Sequence, residues 1–150
     1  MRKAIVSGAN GFVGSAVVKE LISQGYEVYA LVRENHYDQV PINEMVRIVP
    51  FSLENIEALG EVIPINEYEA FYHFAWNGSA GVDRADTALQ LKNAQWTVEC
   101  LQMAKRLGCK RFVPAGSIME HETIAAVYTQ GNRPGAGYIY GSGKVAALSL

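Results

Sequence analysis

Tyr140 and Lys144 stand four residues apart in Tyr140-Gly141-Ser142-Gly143-Lys144, a spacing that on a helix puts a phenol and an ammonium on one face. A phenol with its ordinary pKa of about 10 is a poor base at neutral pH, and a neighbouring cation favours the phenolate. Tyr140 could then take a proton from an alcohol as hydride leaves the adjoining carbon, or return one in reduction. Alone, the pair would also describe a surface tyrosine and lysine on an ordinary helix. Ser117 adds company: it follows an apolar run over 111–115 that ends at the edge where open parallel sheets bind ligands, and its hydroxyl could hydrogen-bond the reacting oxygen.

A second constellation lies near the start of the chain. Gly8-Ala9-Asn10-Gly11-Phe12-Val13-Gly14 spaces three glycines three residues apart. The first permits a tight turn, the second lets backbone approach a pyrophosphate, and the third allows close helix-to-strand packing. A helix N-terminus there supplies N–H groups and partial positive charge to the phosphates. Gly8, Gly11, Phe12, Val13 and Gly14 are therefore the expected dinucleotide-binding backbone. The acidic residue that usually holds an adenosine ribose belongs about 20 residues further on, and Arg33 stands there instead. A guanidinium suits a 2′-phosphate, which favours NADP, with NAD as the alternative because Glu34 is adjacent. Arg33 read as a plain solvated strand end has no such meaning.

These groups need a frame. Residues 3–7 and 26–32 are apolar runs that predict buried strands, with an amphipathic helix over 12–24 stopped by Gly25. Together they form a βαβ unit. Further strands are expected near 46–50, 69–74 and 111–115, and a short helix near 53–59. A long helix is expected over 84–107, buried along Ala88, Leu91, Ala94, Val98 and Leu101 and ended by Gly108. A loop over 116–137 leads to a last helix from about 138 that still runs at Leu150. The fold class is α/β: a doubly wound parallel sheet, a Rossmann fold in three αβα layers. Residues 145, 146 and 148 offer an apolar face with nothing after it, so the expectation is one domain cut short after the fifth strand and part of the next helix, its substrate-binding part absent.

Composition excludes other classes. In 150 residues, 49% hydrophobic, the net charge is -2 with Lys and Arg scattered, so neither nucleic acid nor an anionic membrane is an expected partner. The apolar stretch after Met1-Arg2-Lys3 is too short for an export signal, and no run reaches membrane-spanning length. Cys100 and Cys109 have neither metal-site spacing nor the number for a disulfide framework, which fits the reducing cytoplasm. His36, His73 and His121 are dispersed, so no metal is expected. Glu120 and Glu122, which flank His121 after Ser117, could reach substrate but are expected on a solvated loop, and Trp76 and Trp96 in packing, a sugar site or a subunit contact.

The sequence resembles the extended short-chain dehydrogenase/reductase family in its NAD-dependent epimerase/dehydratase branch, over its whole length. The matching features are Gly8, Gly11 and Gly14, His73-Phe74-Ala75, Asn93, the strand leading to Gly116-Ser117, and Tyr140 with Lys144. The resemblance implies that Ser117, Tyr140 and Lys144 are catalytic, that Lys144 also binds the nicotinamide ribose, and that Ala75 borders the cofactor. It also implies a homodimer contact through the long helix and the Tyr140 helix. Two departures matter. Related 4,6-dehydratases carry Asp-Glu directly after the active hydroxyl, whereas Ile118 and Met119 follow Ser117, which favours epimerisation or keto reduction over elimination of water. Ser52 replaces an aspartate common near the adenine. The expected function is an NAD(P)-dependent epimerase or ketoreductase of a nucleotide-linked sugar. A non-catalytic NADP-binding or sensor module, or an inactive enzyme fragment, is the rival.

Overall fold

The computed structural model describes residues 1–129 and 136–149. Five parallel strands run in the order β3-β2-β1-β4-β5: β1 (Arg2–Ser7), β2 (Tyr26–Val32), β3 (Val46–Pro50), β4 (Ala70–His73) and β5 (Phe112–Pro114). β1 sits centrally, with Ile5 in register with Tyr29 on one side and Phe71 on the other. Strands flanked on both sides cannot alternate polar with apolar, and Ala4, Ile5 and Val6 are wholly buried.

The chain divides into two compact units. The first comprises Met1–Ala75 and Glu99–Ala115 and holds the sheet. Helix α1 (Phe12–Ser23) packs Val18 and Leu21 against Ala4, Val6, Val28, Ala30 and Val32, one face of β1 and β2. Gly25, at φ 77°, ends α1 in the left-handed conformation that glycine reaches without a Cβ penalty. Phe12 and Val13, the first two residues of α1, stand out from the core at 93% and 53% exposure. The expected helix at 53–59 is a 3-10 turn, Leu53–Ala58, capped by the Ser52 hydroxyl and followed by α2 (Leu59–Val62).

The second unit comprises Trp76–Val98 and the described residues from Gly116 onward. It corrects the sequence reading in three places. Residues 81–85 form a separate 3-10 turn, and the long helix, α3, starts at Thr87 and ends at Leu107. Its N-terminus is set by Asp86, whose carboxylate accepts the Leu89 N–H at 3.0 Å. The buried stripe of α3 runs through Gln90, Asn93, Ala94, Thr97, Cys100, Met103, Ala104 and Leu107, while Leu91 and Leu101 are exposed. Polar side chains won the inner face because each is hydrogen-bonded: Thr97 to the Asn93 carbonyl, and Gln90 and Asn93 to the segment before the helix.

The third correction is the expected loop at 116–137, which contains a helix, α4 (Ile118–Thr129). A capping box starts it. The Ser117 hydroxyl accepts the Met119 N–H at 3.2 Å, and the Glu120 carboxylate accepts the Ser117 N–H at 2.5 Å. The last helix, α5, spans Ala136–Ser149. The glycine-dense part of the expected loop, 130–135, and Leu150 lie outside the described residues. Among those described, no helix is long and apolar enough to cross a membrane.

Candidate active site

In the first unit the glycine turn is a main-chain structure. Gly8 adopts φ 67°, and a Cβ there would lie 2.8 Å from the Ala75 nitrogen and 2.9 Å from the Phe74 carbonyl carbon. A Cβ on Gly14 would collide with the Gly8 carbonyl oxygen. Gly11 is exposed, and its N–H closes the turn on the Gly8 oxygen at 2.9 Å. Gly11 is the N-cap of α1, offers no side-chain cap, and no acidic residue follows in the first turn. The leading N–H groups of α1 thus keep the orphan character that draws anions.

The ends of β1 and β4 brace this turn. Ser7 Oγ and His73 Nδ1, both buried, are hydrogen-bonded at 2.8 Å, and the Ala75 N–H donates to the same Ser7 oxygen at 3.3 Å. Ala75 therefore borders the glycine turn. Arg33 follows the last residue of β2 and is exposed, two positions past Leu31, whose carbonyl accepts the Ala9 N–H. Glu34 beside it is exposed too.

In the second unit α5 presents the phenol and the amine together. Lys144 Nζ lies 3.7 Å from the centroid of the Trp76 ring and 6.0 Å from that of Tyr140. Trp76 meets Tyr140 edge-to-face at 5.9 Å. Lys144 is buried, which pushes its pKa down from 10.5 to about 8, the charge of Glu120 opposing that shift. The tryptophan π-face offsets part of the lost hydration of the cation.

Two glycines let α5 come this close. A Cβ on Gly141 would meet the Met119 carbonyl oxygen of α4 at 2.6 Å, and one on Gly143 would meet the Gln90 carbonyl oxygen of α3 at 2.8 Å. Gln90 in turn fixes the segment that carries Trp76. Its Oε1 accepts the Trp76 indole N–H at 2.9 Å, and its Nε2 donates to the Gly78 and Asp83 carbonyls at 3.0 Å. Asn93 clasps Asn77 by accepting its N–H and donating to its carbonyl, at 2.9 and 2.8 Å.

A profile of the NAD dependent epimerase/dehydratase family matches residues 4–149. The chain belongs to this family. A curated relative, the dTDP-6-deoxy-L-talose 4-dehydrogenase (NAD(+)) of Aggregatibacter actinomycetemcomitans, is 29% identical over 119 residues, covering 77% of this chain and 42% of the relative. Two solved structures share the fold. The UDP-Glc/GlcNAc 4-epimerase of Campylobacter jejuni superposes with a TM-score of 0.77 at 15% identity, over 99% of this chain and 47% of that one. The Bordetella bronchiseptica enzyme WbmH, solved in complex with NAD+, gives 0.76 at 19% identity, over 99% and 51%. The chain spans about half the length of these relatives.

Within this epimerase/dehydratase chain, the structure draws Tyr140 and Lys144 together around Trp76, and seats Ser117 as the cap of α4, which packs on α5. Two residues at the site, Arg84 and Gln90, carry no role in the sequence reading, and a third, Glu120, is expected there on a solvated loop. Arg84 lies with its guanidinium carbon 4.7 Å from the Tyr140 ring centroid, and its buried Nε has no hydrogen-bond partner among the described residues. Gln90 is the hub of the Trp76 segment. Glu120, expected to be solvated, is half-buried and bound to Ser117. Only Glu120 left a signal in the sequence, the Ser-x-x-Glu spacing of a capping box.

Proposed function

We propose that the chain provides the cofactor-binding turn and the base of an enzyme that transfers hydride between a nicotinamide dinucleotide and a hydroxyl-bearing carbon of a nucleotide-linked sugar, as an epimerase or ketoreductase. The observation that carries this reading is the Tyr140 phenol set beside a buried lysine in a chain of this family. The relatives support the substrate class, being named for dTDP- and UDP-linked sugars.

The residues fit such a cofactor. Gly8, Gly11, Phe12, Val13 and Gly14 would receive the pyrophosphate on bare backbone, Ala75 would border the cofactor, and Lys144 would reach the nicotinamide ribose. Arg33 favours NADP, by pairing a 2′-phosphate, over the NAD that relatives are named or solved with. The bound nicotinamide supplies hydride exchange. Tyr140 removes the alcohol proton or returns it, Lys144 stabilises the phenolate as a cation, and Ser117 hydrogen-bonds the reacting oxygen. Ile118 and Met119 offer no acid–base pair for eliminating water. A homodimer through the outward side of α3 is consistent with exposed Leu91 and Leu101, and the free thiols of Cys100 and Cys109 suit the cytoplasm.

Replacing Tyr140 with Phe leaves the ring and removes the proton carrier. Turnover of UDP- and dTDP-hexoses should fall by about 10²–10⁴-fold. Unchanged turnover would remove Tyr140 as the base.

A further inference from the structure

An arginine carries five N–H donors, and a folded chain rarely buries one of them without an oxygen acceptor. The other arginines among the described residues follow this rule. Arg2 donates to the Gln24 carbonyl at 2.7 Å, Arg47 pairs with Glu27, and Arg106 reaches both oxygens of Glu57, while Arg33 and Arg111 stand in solvent. Arg84 departs from it. Its side chain is half-buried, its Nε is shut off from water, and it holds no hydrogen bond or ion pair among the described residues.

The 3-10 turn that carries Arg84 is pinned on both sides of it. The Asp83 carbonyl accepts the Gln90 side-chain amide at 3.0 Å and the Asp86 N–H at 3.2 Å. The guanidinium carbon then lies 4.7 Å from the centroid of the Tyr140 ring, nearer than Lys144 Nζ at 6.0 Å. A π-face attracts the cation but gives it no oxygen to bond. The carboxylates of the same unit are engaged elsewhere or exposed: Asp86 accepts the Leu89 N–H, Glu120 accepts the Ser117 N–H, and Asp83 and Glu122 stand in solvent.

We propose that Arg84 is a specificity-determining residue that binds an oxyanion of the substrate beside Tyr140, either a carboxylate on the sugar or the phosphate that links the sugar to its nucleotide. A planar fork of donors matches both groups through two parallel hydrogen bonds. A neutral hydroxyl offers neither the charge nor the paired oxygens, so a substrate without an anion in reach leaves the donors stranded. The inference rests on the proposed role of Tyr140 as the base. It narrows the substrates of that site to those that present a negative charge within a sugar's breadth of the reacting hydroxyl.

The test is NMR of the 150-residue chain with 15N-labelled arginine, following the Arg84 Nε–Hε signal, assigned by its loss in Arg84→Gln, while UDP, UDP-glucose and UDP-glucuronate are added to millimolar concentration. UDP-glucuronate should shift the signal. A shift with UDP and UDP-glucose as well assigns the linking phosphate to Arg84, and a shift with UDP-glucuronate alone assigns the sugar carboxylate. Arg84→Gln should weaken binding of each ligand that shifts the signal by about 10–100-fold, read at the Trp76 indole N–H, and Arg84→Lys, which keeps the charge and loses the fork, should weaken it less. A signal unmoved by all three ligands overturns the proposal, as does unchanged affinity in the Gln variant. Should that variant lose its helix content by circular dichroism, unchanged affinity in the Lys variant overturns it instead. The readout is binding, so a Tyr140→Phe enzyme with undiminished activity would remove the base, whereas a silent Arg84 signal leaves the base assignment in place.

Discussion

At the scale of single residues, the site works against stability. Lys144 is held with its pKa near 8, against 10.5 for an open lysine. Below pH 8 the folded protein carries this amine charged at a cost of roughly 3 kcal/mol, since each pKa unit is about 1.4 kcal/mol. Between pH 8 and 10.5 the unfolded chain binds the extra proton, so stability should rise with pH through that window. Lys144→Met should therefore stabilise the chain at pH 7 by about 1–3 kcal/mol in urea unfolding and remove this rise. Gly143 makes the opposite case. Alanine is the better helix former by up to about 1 kcal/mol, but its Cβ would press on the Gln90 carbonyl, a backbone atom that cannot step aside. Gly143→Ala should cost about 1–3 kcal/mol by the same measurement, while Ser142→Ala, on the exposed side of the same turn, should stay within about 0.5 kcal/mol.

At the scale of elements, the inward face of α3 is a fastening for its neighbours. Its inward Gln90 makes three hydrogen bonds to the segment that carries Trp76, so Gln90→Leu would leave the indole N–H and the Gly78 and Asp83 carbonyls without that partner. A loss of about 2–4 kcal/mol is expected from these stranded groups. Trp76 emission should shift before global unfolding in a denaturant series, because the segment loosens first. A single cooperative transition with unchanged stability would show that the bonds are replaceable. Such helices mislead a reading by apolar spacing. The true stripe of α3 lies one residue away from the one that Leu91 and Leu101 suggest, since Gln90, Asn93 and Thr97 are polar residues serving as internal fasteners. α4 was hidden differently: glycines downstream at 131, 135 and 137 drew attention to a loop, while Ser117 and Glu120 already spelled a helix start.

At the scale of the whole molecule, the sheet and its glycine turn were legible because one steric or periodic rule governs each. Strand runs at 26–32 and 46–50 match the observed β2 and β3 to the residue. What periodicity cannot convey is which partner satisfies a buried polar group, and that is where Arg84, Gln90 and Glu120 were missed. The cofactor reading belongs to this scale too. Calorimetric titration of the chain should show NADPH binding more tightly than NADH, and Arg33→Ala should erase most of the difference while leaving NADH alone; a wild-type preference for NADH would reverse the assignment. Beneath that choice lies a more general property of the turn. Gly8 and Gly14 meet main chain to main chain, and Ser7 and His73 lock the strand ends behind them. Such a cradle has no side-chain rotamers to freeze and no loop to fold when a ligand arrives. Its heat-capacity change on binding should report only the surface that the ligand itself covers, without the larger signature of coupled ordering.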